Sequence, residues 1–266
     1  MELYKVLIVA IVEGITEFLP VSSTFHMILA SSILGIPQTD FTKLFEVFIQ
    51  AGAILSVVIL YWKTLVEDRR LMLRILASFV PTAVIGLVLY KVIKNVFFET
   101  PALMIAMFAA VGVAFFIAEY LVRREKITLK SHADTITWKQ AVIVGVVQAL
   151  AVIPGVSRAG AVIIGMMFFG FRRDEAARYS FLLAVPTIFA ASALDLFKMR
   201  GTLAGNPDYV SYLVLGFLVA FASSFVFVKW FINYLRTNTL IPFGWYRIVL
   251  TVLIAVMSLM GVMKFS

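Results

Sequence analysis

Two glutamates stand near the start of the sequence in an otherwise apolar stretch. Glu13 and Glu17 are four residues apart, so a helix would place both carboxylates on one face. Residues 6–35 contain no Lys or Arg that could pair with them. A charge at the centre of a bilayer costs on the order of 3 kcal/mol, so the pair needs a cation, a shared proton or water. The alternative is a pair near a helix end that reaches the membrane interface.

Three hydroxyl side chains follow the glutamates, next to a proline that interrupts a helix. Ser22, Ser23 and Thr24 come just after Pro20, and His26 lies beyond them. Hydroxyls at such a break can donate hydrogen bonds to an anion or act as a nucleophile, for which histidine is a common base. The plainer interpretation of His26 is a buried structural histidine, but its polar neighbours favour function.

A second proline-containing segment, in the other half of the chain, carries an isolated arginine. Arg158 follows Pro154, Gly155 and Ser157, and it is the only Lys or Arg within residues 140–171. A guanidinium offers a fork of donors that suits phosphate oxygens, and glycine lets backbone amides approach a ligand. An arginine that extends to the membrane surface is the alternative, which its position inside an apolar segment disfavours.

The two sets of residues together indicate phosphate chemistry. Carboxylates such as those of Glu13 and Glu17, together with a phosphate, can hold a hard divalent cation, Mg²⁺ or Ca²⁺. The cation and Arg158 would stabilise charge on a phosphoryl group while a hydroxyl or water attacks it. The residues therefore predict hydrolysis of a phosphate ester or diphosphate on a substrate that lies in the membrane.

The composition supports a membrane location. Of the 266 residues, 62% are hydrophobic and 14% are charged, and the mean hydropathy is +1.00. Soluble domains are about 45–50% apolar and about 25% charged, so a soluble enzyme, a disordered chain and a nucleic-acid binder are all excluded. The net charge of +8 fits basic cytoplasmic loops, and with no cysteine there can be no disulfide or thiolate site. We expect no cleavable signal peptide.

The apolar segments predict an all-α polytopic membrane protein. Six stretches approach the ~20 residues that cross a bilayer as a helix, namely 45–62, 72–91, 102–122, 179–197, 211–233 and 245–263. Two further apolar regions, 1–35 and 139–170, contain a proline and polar residues at their centres. Because irregular backbone at membrane depth must be buried in protein or line a wet cavity, we expect two re-entrant helical hairpins.

The two hairpins suggest an internal duplication within one membrane domain, residues 1–266. Pro20 and Pro154 are as far apart as Ser23 and Ser157, which indicates repeats of about 1–134 and 135–266. Basic loops fall on one predicted side of the membrane, at 63–74, 123–139 and 171–178. This places the loops that follow the two hairpins on opposite faces, so the repeats are inverted. Such repeats usually hold a polar site near the midplane.

The residues also resemble a known family. The run Glu13–Met27, EGITEFLPVSSTFHM, resembles the first signature of the bacterial undecaprenyl-diphosphatase family of the bacitracin-resistance type. Pro154–Arg158, PGVSR, is similar to its second signature, and the resemblance extends over Phe181–Pro186, Ala193–Asp195 and essentially the whole chain.

The resemblance implies a multi-pass enzyme of the bacterial plasma membrane. It would hydrolyse undecaprenyl diphosphate to undecaprenyl phosphate and inorganic phosphate, which recycles the lipid carrier for peptidoglycan and other envelope polymers and confers bacitracin resistance. The resemblance also implies a divalent cation, a polyprenyl diphosphate substrate among membrane lipids, no nucleic-acid partner and a homodimer.

The roles of individual residues follow from the resemblance by position. Glu13 and Glu17 would be the acidic metal-binding pair, with Glu17 the main ligand. Ser23 would be the nucleophile or a phosphate ligand, and His26 the base or itself the nucleophile. The residues that would bind the diphosphate are Ser22, Thr24, Gly155, Ser157 and Arg158.

Three positions depart from the family pattern. The chain has Phe25, Ala159 and Val162 where the family usually has Gly, Ser and Thr. The last two changes remove hydroxyls that could bind phosphate, each worth ~1.5–3 kcal/mol. A site that only binds would tolerate this loss, so the alternative function is a lipid-phosphate flippase or transporter without hydrolysis. A purely structural membrane protein would give no reason for buried Glu13, Glu17 and Arg158.

Overall fold

The protein is described by a computed structural model that covers residues 2–89, 100–204 and 207–260. Within these ranges the regular structure is helical, as the sequence predicts. The first half contains helices α1 (Leu3–Thr16), α2 (Ser23–Ile33), α3 (Asp40–Leu60), α4 (Trp62–Glu67), α5 (Arg69–Val88) and α6 (Pro101–Arg123). The second half contains α7 (Trp138–Ala149), α8 (Arg158–Phe168), α9 (Arg173–Ala204), α10 (Pro207–Thr237) and α11 (Ile241–Leu259). Short 3₁₀ turns cover Ala133–Thr135 and Leu150–Val152.

Six of the described helices are long and apolar enough to cross a membrane, which confirms the prediction of an all-α polytopic membrane protein. They are α3, α5, α6, α9, α10 and α11. The predicted spans 72–91 and 245–263 end outside the described residues. The helix starts follow local chemistry, since Thr39 caps α3, Asp68 caps α5 and Thr137 forms a capping box at α7.

The two predicted breaks are present in the structure. The first break, residues 17–22, separates α1 from α2, and the second break, residues 150–157, separates α7 from α8. Each ends on a serine with a left-handed backbone, Ser22 with φ 67° and Ser157 with φ 69°. Serine rarely adopts this conformation, so the surrounding packing must hold both positions in place.

The helices of the two halves correspond in order, although the breaks align one residue away from the prediction. Helices α2 and α8 both have 11 residues and begin at Ser23 and Arg158. Ser22 therefore corresponds to Ser157, and Ser23 corresponds to Arg158 rather than to Ser157 as the proline spacing predicted. The two prolines are not equivalent positions in the repeats, because a proline can interrupt a helix from any position within the break.

The contacts between helices also repeat, with the roles of the two halves exchanged. Helix α1 packs on α10 while α7 packs on α5, and α3 packs on α10 while α9 packs on α5. Glycines allow the first two contacts, since a Cβ at Gly14 would lie 2.0 Å from Ser223 Oγ and one at Gly145 would lie 2.1 Å from Ser78 O. Among the described helices, each half contributes one hairpin and three helices long enough to span the membrane. Three crossings per half start the second half on the opposite side of the membrane, as an inverted repeat requires.

Candidate active site

Both breaks line one polar cavity of about 210 Å³. We call this the polar cavity, and it includes the ends of α2 and α8 as well as the middle of α3, α5 and α9. The predicted site residues that line it are Glu17, Ser22, Ser23, Thr24, Gly155, Ser157 and Arg158. The two distant segments therefore meet, as the hypothesis of a shared site requires.

A chain of short polar contacts crosses the cavity from one half to the other. Arg158 Nη2 donates to Glu17 Oε1 at 2.9 Å, and Ser23 Oγ donates to Glu17 Oε2 at 2.5 Å. The side chains of Arg158 and Glu17 are 12% and 6% exposed, so water screens this ion pair little. Glu17 thus connects the arginine of the second break with the serine that follows the first.

The N-termini of helices α2 and α8 also lie at the cavity. Helix α8 is capped by Ser157 Oγ, which accepts from Gly160 N at 3.2 Å, whereas the start of α2 has no side-chain cap. Amides in the first turn of a helix lack intrahelical acceptors and carry the positive end of the helix dipole. The start of α2 at Ser23 is therefore suited to bind anionic oxygens.

Arg158 retains a free donor inside the site. Its Nη1 atom is buried and has no hydrogen-bond partner among the described residues. A buried guanidinium nitrogen normally finds an acceptor, because leaving it unpaired costs free energy. This atom could therefore bind a phosphate oxygen while Nη2 remains on Glu17.

Glu13 lies one helical turn before Glu17 and is fully buried. Both of its carboxylate oxygens lack a hydrogen-bond partner in the described part of the chain. The oxygens of Glu17, by contrast, already accept from Arg158 and Ser23. Of the two glutamates, Glu13 therefore has the carboxylate that is free to bind a cation. The resemblance instead implies that Glu17 is the main metal ligand. Clusters of three or more metal-binding side chains are absent from the described residues, so substrate oxygens would have to complete the coordination.

His26 lies beside the cavity but does not line it. Its Nδ1 atom is 2.8 Å from the carbonyl oxygen of Ser22, which can only accept, so Nδ1 carries the proton. Nε2 then accepts from the hydroxyl of Tyr246 at 2.6 Å. The tautomer is therefore the one in which Nε2 can act as a base once Tyr246 is displaced.

The sequence analysis missed several polar residues that line the cavity. Gln148 donates to Thr82 at 2.9 Å and to Thr187 at 3.3 Å, and Gln50 also faces the cavity. Gln148 stands in α7 where Glu13 stands in α1, and its Oε1 has no partner among the described residues. Single threonines and glutamines in apolar helices give little signal by themselves, and the spacing of 135 residues between Glu13 and Gln148 indicates only that they correspond in the two repeats.

The three departures from the family pattern lie outside the cavity. Phe25 stacks on Phe108 with ring centroids 4.2 Å apart, and Ala159 and Val162 are buried in the hydrophobic core. None of these three side chains lines the polar cavity. The loss of phosphate contacts at positions 159 and 162 stays a prediction.

Comparisons with known proteins identify the family of the chain. Residues 6–253 match the bacitracin resistance protein BacA family. The undecaprenyl-diphosphatase of Aquifex aeolicus (strain VF5) is 42% identical over 247 residues, which cover 93% of this chain and 95% of the relative. The undecaprenyl-diphosphatases of Sulfurihydrogenibium sp. (strain YO3AOP1) and Wolinella succinogenes are 43% and 41% identical, over 94% and 95% of this chain and 96% and 97% of the relatives. The chain therefore belongs to the bacitracin resistance protein BacA family.

Proposed function

We propose that the protein hydrolyses undecaprenyl diphosphate to undecaprenyl phosphate and inorganic phosphate. The reaction breaks the bond between the terminal phosphorus and the bridging oxygen, and water supplies the new oxygen and the protons. The product is the lipid carrier for peptidoglycan and other envelope polymers, so this activity would also account for bacitracin resistance. The relatives that carry this name cover nearly the whole chain, which supports the same reaction here.

The single observation that carries the proposal is the contact chain from Arg158 through Glu17 to Ser23 within the polar cavity. A cation with a free donor, a helix N-terminus and a hydroxyl bonded to a carboxylate are the groups that phosphoryl transfer needs. They lie among membrane-spanning helices, so a lipid could present its headgroup while its chain stays in the bilayer.

Ser23 is the nucleophile that the geometry favours. Its hydroxyl already donates to Glu17 Oε2, which can take the proton as Oγ attacks the terminal phosphorus. Undecaprenyl phosphate leaves, and a phosphoserine remains. Water then attacks that phosphorus, which releases inorganic phosphate and restores the serine. Nε2 of His26 would serve as the base for this water only after Tyr246 is displaced and the ring turns towards the cavity. A direct attack of His26 is less favourable because its ring does not line the cavity.

A divalent cation fits the acidic pair. Glu17, which lines the cavity, would hold it with oxygens of the substrate, and Glu13, one turn behind the lining, would contribute from within the protein because both of its oxygens lack a partner among the described residues. When bound, Mg²⁺ or Ca²⁺ would neutralise charge on the diphosphate and so favour attack.

The test is phosphate release from a polyprenyl diphosphate by purified protein in detergent, with Mg²⁺, with Ca²⁺ and with chelator. We expect stoichiometric release of inorganic phosphate and of the polyprenyl phosphate with a cation present. Folded protein that releases no phosphate with either cation would overturn the proposal.

The alternative, a flippase without hydrolysis, shares the inverted helix order, but the relatives named undecaprenyl-diphosphatase do not favour it. The discriminating variant is Ser23→Ala in liposomes that contain a labelled polyprenyl phosphate. Transport by this variant, in the absence of hydrolysis by the unmodified protein, would favour the flippase.

The cellular setting follows from the same proposal. We infer the plasma membrane of a bacterium, since the substrate is a bacterial envelope lipid and the relatives are bacterial. The homodimer that the resemblance implies stays a prediction, which the mass of the protein in detergent micelles would test.

A further inference from the structure

Arg247 in α11 is a fully buried arginine that the mechanism above does not use. Its exposure is 0%. Nε donates to the carbonyl oxygen of Pro20 at 2.8 Å, and Nη1 donates to that of Gly155 at 3.0 Å. Nη2 donates to the carbonyl of Val156 at 3.4 Å, and Nη1 also donates to that of Phe108 at 3.1 Å. One guanidinium thus binds the first break, the second break and α6.

The carbonyl groups of the breaks need such donors. Where a helix is interrupted inside a membrane, its carbonyl oxygens lose their intrahelical partners and water is scarce. Arginine has five N–H donors in a rigid planar fork, more than any other side chain. Because Arg247 satisfies carbonyls of both breaks with a single rigid group, it fixes the distance between them.

The charge of Arg247 is not explained by an ion pair. None of the ion pairs within residues 2–89, 100–204 and 207–260 includes it. The rings of Phe108 and Phe115 lie 4.6 and 5.6 Å from its guanidinium carbon and stabilise the cation in part. An apolar side chain of similar length would fill this space without the desolvation of a charge, so space filling does not account for an arginine here.

Arg247 lies behind the polar cavity rather than in it. It is absent from the cavity lining, but Gly155 lines the cavity and Pro20 stands between Glu17 and Ser23 in the chain. A shift of either break would therefore move the nucleophile relative to Arg158.

We propose that Arg247 is a positioning residue that holds the two breaks at the separation where Ser23 and Arg158 face the same phosphate. This inference rests on the proposed diphosphatase function. A misplacement of about 1 Å between reacting groups can lower a rate about 100-fold. The effect falls on kcat more than on KM, because Arg158 and the start of α2 can each still bind the diphosphate when they are no longer aligned for attack.

The kinetic test compares Arg247→Lys and Arg247→Met with the unmodified protein. We expect both variants to lower kcat about 100-fold with KM changed by less than about threefold. Lysine keeps the charge but cannot bind carbonyls of both breaks as a planar fork, so it should fail as badly as methionine. Full activity of Arg247→Lys would overturn the proposal in favour of a purely electrostatic role. The matched control is Arg236→Met, which changes an exposed arginine at the end of α10 and should leave kcat unchanged.

A second measurement does not depend on activity. The chain has no cysteine, so Thr24→Cys with Ile153→Cys places two unique thiols on the same cavity, one from each side. Bifunctional thiol reagents of graded length should link them over a narrow range of lengths, and Arg247→Met should broaden that range. An unchanged length profile would overturn the positioning role even if the unmodified protein releases no phosphate.

Folding is measured in the same samples by size-exclusion chromatography and thermal unfolding in detergent. We expect both Arg247 variants to remain monodisperse. If neither variant folds, Arg247 supports the whole helix bundle rather than the site, and the positioning role is rejected.

Discussion

Arg158 donates a hydrogen bond to Glu17 at 2.9 Å across a sequence separation of 141 residues. Helix α8 begins with the arginine, and the glutamate follows the last turn of α1. Each residue alone would be an expensive charge inside a membrane, and together they offset part of that cost. Their contact makes the two breaks into one site.

The role of Arg158 is tested by Arg158→Lys. Lysine keeps the charge but replaces a planar fork with a point charge, so the contacts to Glu17 and to a phosphate cannot both be kept. Loss of one charge-assisted hydrogen bond, about 1.5–3 kcal/mol, predicts a rise in KM of roughly 10- to 100-fold. Steady-state phosphate release measures it, and a variant with unaltered KM would contradict the assignment.

The nucleophile is tested by Ser23→Ala. We expect kcat to fall by at least about 1,000-fold, because the covalent step has no oxygen to attack phosphorus. Acid quenching of the unmodified protein with substrate labelled in the terminal phosphate should trap acid-stable label that fragmentation of the peptide assigns to Ser23 itself. The control is Ser31→Ala, which removes a buried hydroxyl of the same helix that donates to Glu46. Label that is lost in acid but survives an alkaline quench would instead assign His26 as the nucleophile.

His26 is tested together with its hydrogen-bond partner. Nδ1 is held by the carbonyl of Ser22, so Nε2 can accept a proton once the hydroxyl of Tyr246 moves away. We expect His26→Ala to lower kcat roughly 10²- to 10⁴-fold, as for loss of a general base. Tyr246→Phe removes the competing hydroxyl and should change kcat by less than about tenfold. A loss under about tenfold for His26→Ala would leave the histidine only a positioning role.

Cation binding is tested by Glu13→Gln. Because both oxygens of Glu13 lack a partner among the described residues, the amide should weaken the apparent affinity for Mg²⁺ or Ca²⁺ about tenfold or more. The measurement is a metal titration of phosphate release, repeated as direct cation binding by calorimetry. Glu46→Gln is the control, since that carboxylate already accepts from Ser31 at 3.0 Å. Equal metal curves for both variants would exclude Glu13 as a ligand.

The second break requires glycine at position 155. Gly155 has φ +93°, and a Cβ there would lie 2.2 Å from the carbonyl oxygen of Met104. We expect Gly155→Ala to destabilise the fold by about 1–3 kcal/mol from backbone strain alone, with a further loss from the clash. Thermal unfolding in detergent measures this. Gly86→Ala, which meets nothing within 4 Å, should be neutral or slightly stabilising, and equal effects at both sites would refute the argument.

The residues of the candidate site could be found from the sequence because charge in an apolar segment is rare. Glu13, Glu17 and Arg158 are conspicuous for this reason, and Ser22, Ser23 and Ser157 lie next to prolines that end a helix. Hydropathy alone also located the six long helices, since a continuous run of about 20 apolar residues satisfies its backbone in a bilayer as a helix.

The tertiary structure determines which of these side chains contact each other, and which further residues form hydrogen bonds that hold them in place. No local pattern connects Arg247 to Pro20 and Gly155, because a side chain that binds carbonyl oxygens leaves no complementary residue type in the sequence. The contact of Gln148 with Thr82 and the occupation of both oxygens of Glu17 join side chains of complementary type, but the sequence does not show which of many such partners come together. Residue types and periodicity depend on the local chain, whereas hydrogen bonds between distant segments depend on how the two halves pack.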